Sequence, residues 1–174
     1  AYDPSSTTLQ MVASGSVRKY EDSGTDLGTN WREPSYDDGA WSSGAAELGF
    51  GDGDEATTVS FGSDPANKHR TTYFRQSFNL AATDFTNLTL RLRRDDGAAV
   101  YLNGSEVARD NLPGGEITFS TSALAAAPDD GNDWLSFDVP ISLLVEGDNT
   151  IAVEIHQNSP TSSDLSFDLE LIGA

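Results

Sequence analysis

The sequence predicts an all-β fold, a two-sheet antiparallel β-sandwich of jelly-roll type. Apolar and polar residues alternate with a period of two in "NLTLRLRR" (87–94), "NTIAVEIHQ" (149–157) and "DLSFDLELI" (164–172). This is the pattern of strands that bury one face and leave the other wet. Helical periodicity is almost absent, and the connections are long and rich in Gly and Asp, which favours a two-sheet sandwich over a barrel.

A turn signal supports antiparallel pairing in the middle of the chain. Asn103-Gly104 lies between two apolar stretches of "AAVYLNGSEVAR". A type I′ turn needs two residues that tolerate positive φ, and Asn-Gly meets that need. The sequence therefore predicts a β-hairpin at Asn103-Gly104, and Gly147-Asp148 leads into a later strand in a similar way.

The length of 174 residues is sufficient for one well-buried domain. The opening "AYDPSSTT" has the composition of a linker. We assign residues 1–15 to a linker and the first strand, and residues 16–174 to a single β-sandwich domain. A signal peptide and an apolar run of ~18 residues are not visible, so we expect a soluble chain or an excised mature segment.

The composition narrows the partners and the metals. The formal net charge is −18, from 28 acidic and 10 basic residues. Such a surface repels nucleic acid and anionic membranes, so neither is expected as a partner, and it suits an extracellular medium. The sequence contains no cysteine, which removes disulfides, thiolate metal sites and cysteine nucleophiles. Any metal should therefore prefer oxygen ligands.

Catalytic motifs are not apparent. The two histidines, His69 and His156, lie in no HExxH-like or GxSxG-like motif. Adjacent acids such as Asp37-Asp38 and Asp95-Asp96 offer pairs of carboxylates for glycoside hydrolysis, but adjacent acids are more simply turn formers. We predict that the chain is not an enzyme, and we keep an acid-dyad glycosidase as a distant third alternative.

A family resemblance appears when four segments are taken in order. These are "NWREPSYDDGAW" (30–41), "TTYFRQSFNL" (71–80), "LRLRRDDGAAVYLNGSEVARDN" (90–111) and "LLVEGDNTIAVEIHQNSPTSSDLSFDLELIG" (143–173). Together they resemble the galactose-binding-domain-like jelly roll of secreted bacterial multidomain proteins, and they are similar to the sugar-binding domain of family 2 glycoside hydrolases. The resemblance covers roughly residues 16–173. It implies the fold, and it leaves glycan binding, peptide binding and scaffolding open.

Calcium is the expected cofactor, and the first candidate loop is "ELGFGDGDEATTVSFG" (47–62) with Asp52 and Asp54. An EF-hand starting at Asp52 would need an oxygen ligand where Ala56 stands and a Glu at position 12, so the EF-hand is rejected. The "GFGDGD" motif also occurs once, whereas repeat-type calcium loops need stacked copies.

Two other loops compete for the ion. The resemblance implies a structural calcium near the start of the chain, where Asp22 and Asp26 have loop spacing. The turn "RRDDGAAVYLNG" resembles the calcium-dependent sugar site of PA14-type lectins, in which an Asp-Asp pair holds an ion that accepts two sugar hydroxyls. The alternative is that Asp95 and Asp96 close a turn with Gly97 and ligate nothing.

Carbohydrate recognition combines aromatic faces with planar hydrogen-bonding groups. Trp134 is opposite in parity to Leu135 and Phe137, which predicts an exposed ring suited to stacking. Trp31 and Trp41 are predicted to anchor the core or a loop instead. The loop "HQNSPTSSD" supplies four candidate hydroxyl partners, with a self-satisfied loop as the alternative; these are His156, Gln157, Asn158 and Asp164.

A cluster of arginines is notable in so acidic a chain. Arg91, Arg93 and Arg94 would suit a uronate or sulfate, since guanidinium groups pair with such anions in a bidentate way. Alternatively they pair across the sheet with acids of outward parity, namely Glu154, Asp168 and Glu170. We prefer pairing, except that Arg94 ends the strand with inward parity and is predicted to be free for a ligand.

These observations predict a non-catalytic carbohydrate-binding accessory module of a larger secreted protein, with a structural calcium that fixes its loops. The expected partners are a polysaccharide or oligosaccharide and covalently linked neighbouring domains. The alternative is a scaffolding or interaction domain with no sugar ligand.

Overall fold

A computed structural model describes residues 8–174, so nearly all of the predicted linker lies outside the described residues. The chain forms a two-sheet β-sandwich dominated by antiparallel pairs, which confirms the predicted fold class. Its strands are β1 (Leu9–Val12), β2 (Val17–Glu21), β3 (Ser42–Ala45), β4 (Leu48–Phe50), β5 (Thr57–Thr58), β6 (Thr71–Leu80), β7 (Leu88–Asp95), β8 (Gly97–Leu102), β9 (Ser105–Asp110), β10 (Leu135–Asp138), β11 (Gly147–His156) and β12 (Leu165–Gly173).

The helical content of the described residues is two short 3₁₀ helices, Asn30–Arg32 and Ile141–Leu143. No helix between residues 8 and 174 is long and apolar enough to cross a membrane.

Each sheet contains six strands. The first has the order β10-β7-β12-β4-β5, with β1 also paired to β12, and the second has the order β3-β2-β6-β11-β8-β9. Their apolar faces meet in one core, where the rings of Phe74 on β6 and Phe167 on β12 lie 4.4 Å apart between centroids. Leu90, Leu92 and Val100 are fully buried there, as the alternation predicts for inward residues.

The hairpin prediction is confirmed. Strands β8 and β9 pair in an antiparallel ladder around Asn103 and Gly104, with φ values of 49° and 87°. The Asn103 side chain also donates to the carbonyl of Leu143 at 2.8 Å and accepts the amide of Thr150 at 2.9 Å. The turn therefore joins the hairpin to the start of β11.

The prediction that β11 has one wet face is wrong. Its outward residues Ala152, Glu154 and His156 are buried, because a second apolar cluster covers this side of the second sheet. Trp31 is fully buried in that cluster, 4.7 Å from the ring of Tyr73 between centroids. The loops that precede β3 and follow β9 supply this cover, which confirms the anchoring role expected of Trp31.

Outward acids of both sheets are buried in ion pairs. Arg91 pairs with Glu170 at 2.5 Å, as predicted across β7 and β12. Asp168 pairs instead with Arg18 of β2 at 2.6 Å. The remaining predicted partner, Glu154, pairs with Arg32 at 3.2 Å, and Arg93 pairs with Glu47 at 3.2 Å. Breaking such a pair by removing one partner leaves an uncompensated buried charge.

The Asp-Asp turn has a different geometry from the predicted one. Strand β7 ends at Asp95 in the first sheet and β8 starts at Gly97 in the second, so Asp96 is the only residue between these two strands of different sheets. The turn expected at Asp95, Asp96 and Gly97 is therefore a crossing from one sheet to the other, which buries both carboxylates at the rim of the sandwich.

Candidate functional site

A pocket of about 240 Å³ that is lined by several aspartates lies at this rim, and we call it the acidic pocket. Three separate chain segments bring acids to it: the β7–β8 crossing, the loop before β10 and the loop between β11 and β12. The residues that line it include Asp95, Asp96, Asp130, Asn158, Ser162, Ser163 and Asp164. Four of the residues predicted to bind ligand from sequence are thus brought together: Asp95, Asp96, Asn158 and Asp164.

Asp96 is held by three donors from two loops. Its Oδ1 accepts the amide of Ala127 at 3.0 Å, and its Oδ2 accepts the amide of Asn158 at 2.8 Å and the hydroxyl of Ser162 at 3.2 Å. The side chain is 2% exposed. Asp96 therefore fastens two rim loops to the crossing while it lines the acidic pocket.

Asp95 is equally buried, at 2% exposure, and the peptide bond that joins it to Asp96 is cis. No N–H or hydroxyl donor of residues 8–174 contacts its carboxylate, in contrast to the three that contact Asp96. Burial, followed by the hydrogen bond to Asp96 and the charge of that residue, raises the pKa of Asp95 well above its ordinary range. A cation in the acidic pocket would remove this penalty.

Asp52 joins the rim from the glycine-rich loop after β4. Carboxylate oxygens of Asp52, Asp130 and Asp164 all lie within 4.8 Å of one another. Two oxygens on opposite sides of a calcium ion, each bonded at ~2.4 Å, are about that far apart. Asp52 also accepts a hydrogen bond from the hydroxyl of Ser166 at 2.9 Å, which fixes its position against β12.

The repulsion within this group is reflected in its pKa values. The charge of Asp164 is the main cause that raises the pKa of Asp130 above its ordinary value. Burial is the main cause that raises the pKa of Asp52, with further contributions from Asp164 and Asp130. The three acids thus have the charge and the spacing that suit a hard divalent cation.

Asp54 lies in a neighbouring group. Oxygens of Glu47, Asp52 and Asp54 also lie within 4.8 Å of one another. Glu47, however, already pairs with Arg93 at 3.2 Å, although without hydrogen-bond alignment. Because an arginine neutralises this second group in part, the first group is the better candidate for a cation.

The structure does not bring Asp22 and Asp26 into either group. Asp22 accepts the amide of Ser60 at 2.6 Å, and Asp26 accepts the amide of Gly28 at 2.9 Å. The Asp26 carboxylate stabilises a local turn, and that of Asp22 ties the end of β2 to the loop after β5, so the structure gives no support to a calcium site near the start of the chain.

The prediction of a free Arg94 is wrong. Arg94 is 4% exposed and pairs with Asp110 at 2.5 Å and with Asp129 at 2.7 Å. Asp129 in turn accepts the amide of Asp133 at 3.0 Å. Arg94 therefore ties the loop that carries Asp130 to β7 and β9, and it positions the acidic pocket rather than contacting a ligand.

His156 and Gln157 are likewise withdrawn from the surface. Both are fully buried. The Nε2 of His156 lies 2.6 Å from Glu154 and its Nδ1 lies 2.7 Å from the carbonyl of Thr121. Gln157 donates to the carbonyl of Asp164 at 2.7 Å. The expected hydroxyl-binding role is corrected for both residues: they anchor the loop that presents Asn158 and Asp164.

Trp134 is half-buried, and it does not line the acidic pocket. The guanidinium carbons of Arg91 and Arg93 lie 5.2 Å and 5.6 Å from its ring centroid. These cations interact with the ring electrons that a sugar would contact. The predicted stacking role of Trp134 remains a prediction.

Sequence reasoning missed Asp130, which the structure places in the acid group with Asp52 and Asp164. A signal was present, because Asp129, Asp130 and Gly131 repeat the Asp-Asp-Gly pattern of residues 95–97. Asp130 has a φ of 53°, the left-handed conformation that Asp tolerates better than most residues.

The fold also resembles solved structures, although no family model and no curated protein matches the sequence. Beta-glucuronidase 2 of Bacteroides uniformis, covalently bound to cyclophellitol-6-carboxylate aziridine, gives a TM-score of 0.63 at 18% identity, over 96% of this chain and 18% of its own. A calcium-binding mutant of that enzyme gives 0.61 at 18% identity, with 96% and 18% covered. A glycosyl hydrolase family 2 member from Bacteroides cellulosilyticus gives 0.57 at 14% identity, over 93% and 20%.

At these identities the likeness establishes the fold. The chain spans about a fifth of the length of those enzymes, so it corresponds in size to one small domain of a larger glycosidase.

Proposed function

We propose that the chain is a non-catalytic carbohydrate-binding module of a larger secreted protein, and that the acidic pocket holds a calcium ion. The observation that carries the proposal is the Asp95 carboxylate, which is 2% exposed, has no N–H or hydroxyl donor among residues 8–174, and faces a pocket lined by further acids. A buried carboxylate is costly unless it is protonated, hydrogen-bonded or bound to a cation. The aspartates of the acidic pocket offer that cation a ready set of oxygen ligands.

Calcium is the metal that the ligand chemistry favours. The available groups are carboxylates, hydroxyls and amide carbonyls, and the sequence has no cysteine. Calcium accepts six to eight oxygen ligands with flexible geometry, so carboxylates from several loops can share one ion. Such an ion would stabilise the rim and would leave coordination positions for water or for sugar hydroxyls.

The carbohydrate part of the proposal is supported by the shape and position of the pocket. A sugar presents hydroxyls around its rim, and the acidic pocket presents Asn158, Ser162 and Ser163 beside the acids. Loops at one rim of a sandwich are common places for binding. The fold-level likeness to parts of glycosidases supports an accessory role beside a catalytic domain.

Calorimetric titration with calcium, followed by a polysaccharide panel run with calcium and with chelator, tests the proposal. We expect calcium binding and calcium-dependent retention of at least one polysaccharide, and both should weaken by about tenfold or more in Asp164→Asn. Asp37→Asn is the matched control, because Asp37 is exposed and lies in another Asp-Asp-Gly sequence. The absence of calcium binding, or equal glycan retention in chelator, would contradict the proposal.

A scaffolding domain without a sugar ligand is the second candidate. It is favoured by the match of nearly the whole chain to about a fifth of a larger enzyme. This function predicts a stable contact with a neighbouring domain and no glycan retention. The polysaccharide panel separates the two candidates, because a scaffold would retain no polymer under either condition.

A further inference from the structure

The few cations of this chain are almost all paired with acids. Of its ten Lys and Arg residues, eight form an ion pair with a carboxylate. These eight are Arg18, Lys19, Arg32, Arg75, Arg91, Arg93, Arg94 and Arg109. With 28 acids available, a cation without a carboxylate partner is an exception that calls for an explanation.

The two exceptions within residues 8–174 are Lys68 and Arg70, and they lie together. Both line one cavity of about 270 Å³, and His69 lies between them in the sequence and lines the same cavity. All three are half-buried. We call this cavity the basic cavity. It concentrates three nitrogen-bearing groups in one small volume of a protein whose net charge is −18.

Neutral acceptors fix these three side chains and leave donors free. Lys68 Nζ donates to the carbonyl of Ser162 at 2.8 Å, and Arg70 Nη1 donates to the hydroxyl of Ser122. An ammonium has three N–H donors and a guanidinium has five, so both retain capacity for a ligand. His69 Nδ1 lies 2.9 Å from the carbonyl of Asp22, which can only accept, so the proton is on Nδ1 and Nε2 has no partner in the described chain.

The basic cavity also has an aromatic wall. Phe119 lines it and is half-buried, with its ring 6.4 Å from that of Tyr73 between centroids. An aromatic surface suits the C–H face of a sugar ring, and cationic donors suit a carboxylate or a sulfate on that ring. The combination fits an acidic sugar better than a free inorganic ion, which needs no apolar contact.

A single loop separates the basic cavity from the acidic pocket. Pro160 lines the basic cavity, whereas Asn158, Ser162 and Asp164 of the same loop line the acidic pocket. Lys68 holds this loop twice, through its amide to the Pro160 carbonyl at 2.9 Å and through its Nζ to the Ser162 carbonyl. The two sites therefore lie on either side of one short segment.

We propose that the basic cavity binds the oxyanion of an acidic polysaccharide, either a uronic acid carboxylate or a sulfate ester. Lys68 and Arg70 neutralise the anion, His69 Nε2 accepts a hydroxyl hydrogen, and Phe119 contacts the ring. The identity of the ligand as a glycan rests on the proposed function. The uronate or sulfate site that the sequence suggested at the paired Arg91 and Arg93 is thereby assigned to the two cations that have no carboxylate partner among residues 8–174.

The first test is an NMR titration that uses the two histidines as probes. His69 lines the basic cavity, whereas His156 is fully buried and does not line it, so His156 serves as an internal control. Glucuronate, glucose 6-sulfate and glucose are added separately. We expect the ring signals of His69 to shift with one or both acidic sugars and not with glucose, while those of His156 stay in place. Unchanged His69 signals with both acidic sugars would overturn the proposal.

The second test uses matched polymers and variants in affinity gels. Polyuronate, dextran sulfate and uncharged dextran are compared for the parent chain and for a Lys68→Gln, Arg70→Gln double variant. We expect an acidic polymer to bind more tightly than dextran, and its affinity to fall by about tenfold or more in the double variant. Preference for polyuronate or for dextran sulfate identifies the anion. Lys19→Gln is the control, because it removes a cation from a surface ion pair with Asp38.

The results also separate this inference from the proposed function. Calcium-dependent retention of dextran equal to that of the acidic polymers, with no effect of the double variant, would overturn the inference alone. Failure of all polymers and of calcium binding would overturn the proposed function. In that case, changes in the NMR signals of His69 on addition of acidic sugars, with chelator present, would still support anion binding in the basic cavity.

Discussion

Asp95 and Asp96 are adjacent and equally buried at 2% exposure, but their carboxylates have different partners. Asp96 accepts hydrogen bonds from Ala127, Asn158 and Ser162, whereas no N–H or hydroxyl of residues 8–174 contacts the Asp95 carboxylate. Three donors hold the Asp96 carboxylate in place, whereas burial, followed by the hydrogen bond to Asp96 and the charge of that residue, raises the pKa of Asp95 and so destabilises its charged form. The pair therefore combines one acid that holds two loops through hydrogen bonds with one acid whose charged form is destabilised by its surroundings.

The first prediction concerns the pH dependence of stability without calcium. The folded state raises the pKa of Asp95 above the unfolded value of ~3.9, so the folded chain binds more protons in that window. The Asp95 contribution to stability is therefore lost as pH rises from about 4 towards the raised pKa. With calcium removed by chelator, the gain in free energy of unfolding of Asp95→Asn over the parent should be larger at pH 7 than at pH 4. The difference should be at least about 1.4 kcal/mol, the equivalent of one pKa unit.

Denaturant unfolding of the parent and the variant at both pH values measures this difference. Acids far from Asp95 titrate alike in both proteins, so their contributions cancel in the comparison. An advantage of Asp95→Asn that stays constant between pH 4 and pH 7 would contradict the assigned cause. Asp37→Asn, at an exposed site, should show no such trend.

The second prediction concerns calcium and thermal stability. A ligand that binds only the folded state adds about 2.7 kcal/mol when its free concentration is 100 times Kd. For a chain of this size that corresponds to a rise in Tm of roughly 5–10 °C. Asp164→Asn should lose most of this rise, because Asp164 belongs to the group of oxygens within 4.8 Å and also lines the acidic pocket.

Scanning calorimetry with calcium and with chelator provides the measurement. Asp26→Asn should keep the full rise, because Asp26 caps the amide of Gly28 away from the acidic pocket. If the parent melts at one temperature under both conditions, no structural calcium is bound.

The sequence was sufficient to predict the sandwich and the hairpin, since both depend on local signals. Alternation marks inward residues such as Leu90 and Leu169, and positive φ selects Asn103 and Gly104 for the turn. The outward residues of β11 were mispredicted, because loops distant in sequence cover that face. Neither Trp31 nor the loop after β9 indicates from its own composition which strand it will bury.

The site was partly predictable for the same reason. Short polar residues in a rim loop identified Asn158 and Asp164, and the resemblance of the Asp-Asp turn to a lectin site identified Asp95 and Asp96. The structure brings all four together. Burial and pairing were not predictable, because they depend on which loops meet: Arg94 met Asp110 and Asp129, and His156 met Glu154. The basic cavity was not predicted from the sequence. Lys68 and Arg70 stand out only once the structure shows that every other Lys and Arg of the chain is paired with a carboxylate.

The third prediction is that His156 stabilises the fold and does not bind a ligand directly. Its two ring nitrogens contact Glu154 and the carbonyl of Thr121, and the side chain is fully buried. His156→Ala would leave Glu154 with Arg32 as its ion-pair partner and would open a cavity. We expect a loss of about 3 kcal/mol in the free energy of unfolding, with the calcium affinity of the folded protein unchanged. A stable variant that has lost calcium or glycan binding would contradict this role.

The fourth prediction links a buried ion pair to the cation site. Arg94 holds Asp110 at 2.5 Å and Asp129 at 2.7 Å, and Asp129 precedes the Asp130 that lies within 4.8 Å of Asp52 and Asp164. Arg94→Gln would leave two carboxylates without their cation and release the loop, at a cost of about 3–5 kcal/mol in stability.

Because Arg94 positions the acids without contacting the ion, its loss should weaken calcium binding beyond what unfolding explains. Calorimetric titration below the melting transition should show about a tenfold weaker Kd for Arg94→Gln. The control is Arg109→Gln, since Arg109 pairs with Glu106 on the surface and should leave the calcium Kd unchanged. Arg94→Lys keeps the charge but not the two-sided fork of the guanidinium, so it should give an intermediate Kd. Equal calcium affinity in the parent and in folded Arg94→Gln would show that the loop holds Asp130 in place without this ion pair.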